Sequence, residues 1–155
     1  MSHPQLENIN IKSVELLATP RQMRADVPLT ALSARTVMQG RAAIERILDG
    51  EDRRLLAIVG PCSIHNLDAA REYARRLQRL RDELSDALCL VMRVYFVKPR
   101  SSLGWKGFIN DPYLNDTFHI EEGIRMAREF LVELAECGLP AATEVLEALM
   151  PQYIG

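Results

Sequence analysis

The alternation of short apolar runs with amphipathic helical patterns constrains the fold of this chain more than any other feature. Leu55 to Val59 is a continuous apolar run that ends at Gly60-Pro61, and Cys89 to Phe96 is rich in β-branched, aromatic and aliphatic residues. Both runs are typical of buried parallel strands that lead into a turn or a loop. Pro140 to Leu146 indicates a third strand of the same kind.

Helical patterns separate these three predicted strands. The first begins near Asn66 or Asp68, and its inward stripe is predicted to be Ala70, Tyr73, Ala74, Leu77, Leu80 and Leu84. The second runs from Thr117 to Cys137, with the inward residues Ile120, Ile124, Ala127, Leu131 and Leu134. With right-handed crossovers, this order predicts a parallel sheet with helices outside it. Both a (β/α)8 barrel and a doubly wound open sheet satisfy the pattern, because periodicity does not distinguish them.

The first third of the chain lies outside this repeating unit. Residues 1–10 are polar and without periodicity, which predicts an arm that is flexible unless a partner holds it. Thr30 to Leu48 predicts a helix that ends at Gly50 and whose apolar face comprises Val37, Ile44, Ile47 and Leu48. We expect this helix to cover the bottom of the domain.

Composition limits the classes of function. A formal net charge of −2 argues against nucleic acid as a bulk partner. The longest apolar run, Ala87 to Met92, is too short to span a membrane, and Met1 to Lys12 lacks the features of a signal peptide. Three cysteines at irregular spacing form no disulfide framework and fit a reducing compartment, so we expect a cytoplasmic protein.

A cationic loop follows the central predicted strand. Gly104 and Gly107 would allow the loop backbone to approach a ligand closely. In layered α/β proteins, the loops that leave the carboxyl ends of parallel strands form the binding face. The positive charges predicted to lie there are Arg93, Lys98, Arg100 and Lys106. The loop therefore predicts a site for an anion, either a phosphate or a carboxylate.

Two separated motifs carry a family resemblance. Gly60-Pro61-Cys62-Ser63-Ile64-His65 precedes the segment from Met92 to Pro112, which contains Val-Tyr-Phe-Val-Lys-Pro-Arg and Gly-Trp-Lys-Gly-Phe-Ile-Asn-Asp-Pro. Together they closely resemble the class I 3-deoxy-D-arabino-heptulosonate 7-phosphate (DAHP) synthases, which open the shikimate pathway to aromatic amino acids. The resemblance extends from about Ile11 to Gly155 and matches only the N-terminal part of those longer enzymes.

The resemblance implies that the fold is a TIM (β/α)8 barrel. A complete barrel needs roughly 200 to 250 residues, so we expect this chain to provide about the first three strands. Residues 1–50 would form the N-terminal arm and the covering helix, and residues 51–155 the partial barrel, truncated after the third strand. Such a piece leaves an open sheet edge, so we expect a homo-oligomer, a completing chain or a fragment of low stability.

The resemblance also assigns roles to single residues. It implies that Cys62 is a ligand of a catalytic divalent metal such as Mn, Fe or Co, although spacing alone favours a lone cysteine that behaves as a small hydrophobic residue. Arg93 would bind phosphoenolpyruvate; on residue chemistry alone, an ion pair with Glu144 on the next strand is credible and does not exclude that function. Lys98 would lie where both substrates meet. Pro99, Arg100 and Ser101 would hold erythrose 4-phosphate, and Glu144 would orient the cations.

Other polar residues receive structural interpretations. Cys62 and His65 form only half of a structural zinc site, so His65 is predicted to order the turn or cap the following helix. Trp105, a single aromatic residue beside glycines, is predicted to anchor the loop by packing.

Activity and regulation follow from the same resemblance. The implied reaction condenses phosphoenolpyruvate with erythrose 4-phosphate, and an aromatic amino acid inhibitor would bind near Pro151 and Gln152. On residue chemistry alone, Gln152 is simply an exposed residue at a helix start. The alternative hypothesis is a catalytically inactive fragment that acts as a binding or assembly module, because most metal ligands of the family lie beyond this chain.

Overall fold

The computed structural model describes residues 9–11, 14–99, 103–146 and 148–155. Within these ranges, helices and strands follow one another in the predicted alternation after two N-terminal helices. The elements are α1 (Pro20–Asp26), α2 (Ala31–Leu48), β1 (Leu55–Val59), α3 (Leu67–Glu83), β2 (Leu88–Arg93), α4 (Ile120–Glu136), β3 (Ala141–Ala142) and α5 (Met150–Ile154).

The strands form one parallel sheet in the order β1-β2-β3. Leu55 is the partner of Leu88 at one end of the β1–β2 ladder, and Val59 is the partner of Met92 at the other. Arg93 is the partner of Ala142 in β3. Because all three strands run the same way, the loops that follow them leave from one edge of the sheet. The site residues predicted after the strands are therefore brought to a common edge.

The core lies between one face of β2 and the two crossover helices. Leu90, Met92 and Val94 alternate along the chain, so they face the same side, and each is buried. They share one cluster with buried residues of both α3 and α4. Phe130 of α4 reaches Phe96 edge-on, with ring centroids 6.4 Å apart. Both crossover helices consequently cover the same face of the sheet.

Local capping explains where three helices begin. Thr19 accepts a hydrogen bond from the Gln22 amide at the start of α1, and Pro20 occupies the first turn, where its missing N–H costs nothing. Thr30 and Ser33 form a reciprocal capping box at the start of α2.

The helix α3 starts at the predicted place with a cap that sequence analysis did not identify. The Asn66 side chain accepts from the Ala69 amide, and His65 is exposed. The prediction that His65 caps α3 is wrong, because the neighbouring side chain already satisfies the free amide. Ala70, Ala74 and Leu77 are buried as predicted, but the rest of the predicted stripe, Tyr73, Leu80 and Leu84, is 37% or more exposed.

Three predicted boundaries need correction. β2 ends at Arg93 rather than Phe96, although Val94 and Phe96 stay buried. β3 comprises two residues, Ala141 and Ala142, and does not extend from Pro140 to Leu146. Residues 143–146 are exposed and pair with no strand of the described chain. α4 begins at Ile120 rather than Thr117, since positive φ angles before it are incompatible with a right-handed helix; they belong to Leu114, Asp116 and Phe118.

The predicted burial of β1 also needs correction. Leu55 and Ile58 are 68% and 50% exposed. β1 is an edge strand that pairs with β2 alone among the described strands, so one of its sides has no strand beside it. The unpaired backbone groups of such an apolar edge can form hydrogen bonds with a further strand.

The helix α2 contacts its neighbours through small side chains. Ser33, Thr36 and Gly40 are its buried residues, whereas Leu48 of the predicted apolar face is 74% exposed. A Cβ atom at Gly40 would lie 3.0 Å from Pro140, which immediately precedes β3. The close approach of α2 to that end of the sheet thus needs the missing side chain at Gly40, while Val37, Ile44 and Ile47 of the predicted apolar face are half-buried. No helix within the described ranges is long and apolar enough to cross a membrane.

Asp52 is expected to make the stability depend on pH in the acid range. Its carboxylate accepts hydrogen bonds from the Arg54 backbone and guanidinium, which lower the pKa of Asp52 from its ordinary value of 3.8 to about 2. Because the folded state releases this proton more readily, Asp52 stabilises the fold above pH 3.8 and loses that contribution as pH falls to about 2.

Acid unfolding followed by circular dichroism measures this contribution. We expect Asp52→Asn and Arg54→Met to flatten the dependence of unfolding free energy on pH between 4 and 2. An unchanged slope in both variants would contradict the assignment.

Candidate functional site

The turn after β1 is attached to the end of β2. Arg93 donates from Nε to the Pro61 carbonyl at 3.1 Å and from Nη2 to the Gly60 carbonyl at 2.9 Å. The Ile64 amide donates to the Tyr95 carbonyl at 2.8 Å. These bonds join two loops that leave neighbouring strands, so the turn is held at the carboxyl edge of the sheet.

Gly60 permits this attachment by its lack of a side chain. A Cβ atom there would lie 2.4 Å from the Arg93 carbonyl oxygen, which no side chain tolerates. The Arg93 guanidinium also lies 5.2 Å from the centre of the Tyr95 ring, a cation–π contact. Arg93 forms no ion pair with Glu144, so that alternative interpretation is wrong; backbone carbonyls are its partners in the described chain.

Cys62 and Lys98 meet at the tip of this turn. The Lys98 ammonium donates to the Cys62 sulfur across 3.3 Å, and the thiol is exposed. The two residues are 36 positions apart in the chain, and only the parallel pairing of β1 with β2 brings them together. The prediction that a lone Cys62 is a buried hydrophobic residue fails, because its sulfur faces solvent and a cation.

The loop that carries Lys98 folds back on itself. The Lys98 amide donates to the Lys106 carbonyl at 2.8 Å, and Gly107 adopts a φ of +111° that suits glycine alone. Trp105 donates from its indole nitrogen to the Asp111 carbonyl at 2.9 Å, and its side chain is half-buried. Trp105 packs against the core and anchors the loop.

Asp111 organises the second half of this loop. Its side chain is 2% exposed and accepts from the amides of Asn115 and Asp116. A buried carboxylate is tolerated when backbone N–H groups satisfy it. Sequence analysis missed Asp111, and the available signal was a single acidic residue in a cationic, glycine-rich loop.

Three further predicted site residues, Glu144, Pro151 and Gln152, take no part in the contact between Cys62 and Lys98. Glu144 is exposed and forms no ion pair among the described residues, so no orientation of cations by Glu144 is observed. Glu144 and Pro151 line one cavity of about 400 Å³ beside β3, and Gln152 is exposed. Pro99 is exposed next to Lys98. Arg100 and Ser101 lie outside the described residues.

The described residues do not supply a complete metal site. No three of their His, Cys, Asp or Glu side chains form a group that could hold an ion. Cys62 presents one exposed sulfur, which is a suitable donor for a soft or borderline metal but a single ligand. Any further ligands would come from residues outside the described part of the chain.

Arg128 is a second polar residue that sequence analysis missed. It lies on α4 among apolar residues and is 2% exposed. Burial lowers the pKa of its guanidinium, with a smaller contribution from Arg24. A cation beside Ala127 on the apolar face of an otherwise clear amphipathic helix was the signal that could have revealed it.

Comparisons with known proteins agree on one family. The sequence profile described as the DAHP synthetase I family matches residues 25–155. The Tyr-sensitive phospho-2-dehydro-3-deoxyheptonate aldolase of Salmonella typhimurium is 48% identical over 155 residues, which is 100% of this chain and 44% of the relative. The Phe-sensitive aldolase of Escherichia coli K12 is 49% identical over 97% of this chain and 43% of its own length.

A solved structure gives the same result for the fold. The phospho-2-dehydro-3-deoxyheptonate aldolase from Francisella tularensis superposes with a TM-score of 0.89 at 44% identity. The match covers 93% of this chain and 42% of that one. The chain therefore spans less than half of the length of these relatives.

Proposed function

This chain belongs to the DAHP synthetase I family, and from that premise we propose that it forms the N-terminal part of a 3-deoxy-7-phosphoheptulonate synthase. The proposed reaction condenses phosphoenolpyruvate with erythrose 4-phosphate to DAHP and phosphate, the first step of the shikimate pathway. The single observation that carries the proposal is the contact between Lys98 and Cys62, held beside Arg93 at the carboxyl edge of the sheet.

Family membership also decides between the two fold classes that the sequence left open. Three parallel strands with helices, superposable on an aldolase of the family, make the chain the N-terminal part of a (β/α)8 barrel. The prediction of about three strands is confirmed. The division into a covering part, residues 1–50, and a partial barrel, residues 51–155, stays part of the proposal, supported by the packing of α2 against the residue that precedes β3.

In the proposed reaction, C3 of phosphoenolpyruvate attacks the aldehyde carbon of erythrose 4-phosphate, water adds at C2, and phosphate leaves. Both substrates are anions, so cations are needed to bring them together. Arg93 directs Nε and Nη2 to backbone carbonyls, and Nη1 donates to none of the described residues. The Nη1 group of Arg93 would therefore bind phosphoenolpyruvate. The Lys98 ammonium would lie where the two substrates meet.

Pro99, Arg100 and Ser101 are proposed to hold the phosphate of erythrose 4-phosphate. They follow Lys98 directly in the sequence, and Lys98 itself is attached to Lys106 and Cys62. A guanidinium and a hydroxyl are suitable partners for a phosphate. Glu144 is proposed to orient the cations from the same carboxyl edge of the sheet, because it follows β3 as Lys98 follows β2.

A divalent metal, Mn, Fe or Co, is the proposed cofactor, and it would supply Lewis acid chemistry at the aldehyde. Cys62 is the residue of this chain proposed to bind it. Its exposed sulfur at the carboxyl edge supports the assignment, whereas a single sulfur is not a site by itself. The completing ligands and the remaining strands would come from further chain or from a partner subunit, as in a homo-oligomer.

Regulation by an aromatic amino acid is proposed for the region around α5. Relatives of this chain are named Tyr-sensitive, Phe-sensitive and Trp-sensitive. Pro151 lines the cavity beside β3, and Gln152 is exposed next to it, so both are accessible to a small ligand. No specific observation favours the alternative of a catalytically inactive binding or assembly module.

Phosphate release from phosphoenolpyruvate in the presence of erythrose 4-phosphate and Mn²⁺ tests the proposed function. We expect Cys62→Ala to lower turnover by about a hundredfold or more, because loss of a metal ligand removes several kcal/mol of transition-state stabilisation. Cys137→Ala, at a second exposed thiol, is the matched control and should leave turnover unchanged. Absence of turnover in a folded protein that includes the completing chain or partner subunit would support the inactive module, and turnover independent of Cys62 would refute the assigned metal ligand.

A further inference from the structure

A buried arginine joins three parts of the chain. Arg128 donates from Nε to the Val27 carbonyl at 2.7 Å, at the end of α1. Its Nη1 donates to the carbonyls of Tyr153 and Gly155 at 3.1 and 3.0 Å, at the end of α5. One side chain on α4 therefore binds the backbone of an N-terminal helix and of a helix more than a hundred residues later.

The chemistry of Arg128 makes this arrangement demanding. The side chain is 2% exposed and forms no ion pair within the described ranges. A buried cation is costly unless acceptors replace its water, and here backbone carbonyls from two separate segments do so. If either segment moved away, the guanidinium would lose acceptors and could not regain water without opening the core.

A second set of contacts joins the same segments. The Tyr153 hydroxyl donates to the Ala18 carbonyl at 3.0 Å, and the Ala18 amide donates to Glu121 Oε2 at 3.0 Å. Segment 18–27 is thus bound at both ends: Ala18 bonds to α5 and α4, and Val27 bonds to Arg128 of α4. The contact between Tyr153 and Ala18 links the segments directly, without α4.

We propose that Arg128 is a positioning residue that couples segment 18–27 to α5, so that ordering one of them orders the other. Because Pro151 and Gln152 lie on α5, a ligand that binds there would also stabilise the N-terminal segment. This second statement rests on the proposed function, whereas the coupling itself rests on the contacts of Arg128 and Tyr153. The physical link is one guanidinium that donates hydrogen bonds to backbone carbonyls of both segments.

Amide hydrogen exchange of the protein without ligand tests the coupling. The reporters are the helical amides of Met23 and Val27 in α1 and of Gln152 and Gly155 around α5. We expect Arg128→Met to speed exchange by roughly tenfold or more in both segments, because each loses a charge-assisted hydrogen bond. Arg125→Met is the matched control on the same helix: it removes only a half-exposed ion pair with Asp26 and should change exchange by less than about twofold.

A milder variant covers the case in which Arg128→Met fails to fold. Tyr153→Phe removes only the bond to Ala18, and we expect exchange about two- to fivefold faster in both segments. If either folded variant shows faster exchange in only one segment, or in neither, the proposed coupling is wrong.

The ligand arm separates the coupling from the regulatory assignment. L-tyrosine, L-phenylalanine and L-tryptophan are added singly to the wild-type and Arg128→Met proteins. An amino acid that slows exchange at α5 should also slow it in segment 18–27 of the wild type, and by a clearly smaller factor in Arg128→Met, which keeps the bond from Tyr153 to Ala18; slowing at α5 alone in the wild type, or equal slowing of segment 18–27 in both proteins, would overturn the coupling. If none slows exchange at α5, the proposed inhibitor site fails, while the exchange rates without ligand still decide the coupling.

Discussion

Replacing Gly107 with alanine is expected to lower the free energy of unfolding by about 3 kcal/mol or more. Two effects add at this position. The φ of +111° is unfavourable for any residue with a Cβ atom, and that atom would lie 2.4 Å from the Phe96 carbonyl oxygen and 2.9 Å from the Lys98 nitrogen. Because these neighbours are backbone atoms, they can give way only by moving the backbone of residues 96–98, which follow β2.

Gly50→Ala separates the two effects. Gly50 also has a positive φ, +77°, but nothing lies within 4 Å of its added Cβ atom. We expect about 1 kcal/mol of destabilisation there, from backbone strain alone. Urea unfolding followed by circular dichroism gives both values. Equal effects of the two substitutions would show that the loop accommodates the methyl group and that the packing of Gly107 on residues 96–98 is unimportant.

The functional consequence of Gly107→Ala follows from which atoms are displaced. The Lys98 amide donates to Lys106 next to the glycine, and the Lys98 ammonium contacts Cys62. Movement of the Lys98 backbone would therefore separate the two residues that we propose to lie in the active site. We expect the Lys98 and Cys62 amide resonances to shift in Gly107→Ala and to stay unchanged in Gly50→Ala.

Phe130→Ala is expected to cost about 3 to 5 kcal/mol of unfolding free energy. The ring is fully buried and meets Phe96 edge-on across the space between α4 and the end of β2. Its removal leaves a cavity that rigid neighbours on a helix and a strand can fill only in part. A domain of this size has a total stability of about 5 to 15 kcal/mol, so the loss would leave a marginally folded protein.

Phe118→Ala is the matched control for this prediction. Phe118 is 52% exposed, and the same atoms are removed from a surface position. We expect its destabilisation to stay below about 1 kcal/mol. Urea titration of both variants gives the comparison. If Phe130→Ala proves as mild as Phe118→Ala, then the aromatic cluster does not hold α4 against the sheet.

The sequence predicted the elements that have strong local signals. β1 has the predicted bounds, Leu55–Val59, because a continuous apolar run between turn residues has few alternative structures. α2 ends at Leu48 and begins after Thr30, since the capping box and Gly50 mark both of its ends. The short helix α1 was not predicted, although proline after a threonine cap is a typical helix start.

The candidate site divides in the same way. Cys62, Lys98 and Arg93 could be selected from motifs and residue types, because chemistry and chain order identify them. The acceptors of Arg93 and the partner of Lys98 could not, since those contacts join residues more than thirty positions apart. Arg128 and Asp111 were not selected, because a charge within an apolar pattern shows that a partner is needed, whereas the backbone groups that serve as partners are known only from the fold.

The sequence by itself therefore determined the alternation of strands and helices, the cationic loop and the family motifs. All of these arise from patterns among residues that are close together in the sequence. Only the tertiary structure decided that Arg93 binds carbonyls instead of Glu144, that β3 pairs over two residues and that Arg128 joins α1 to α5. The physical reason is that the register of parallel strands places distant backbone groups side by side, and the cost of burying charge then selects which of them pair.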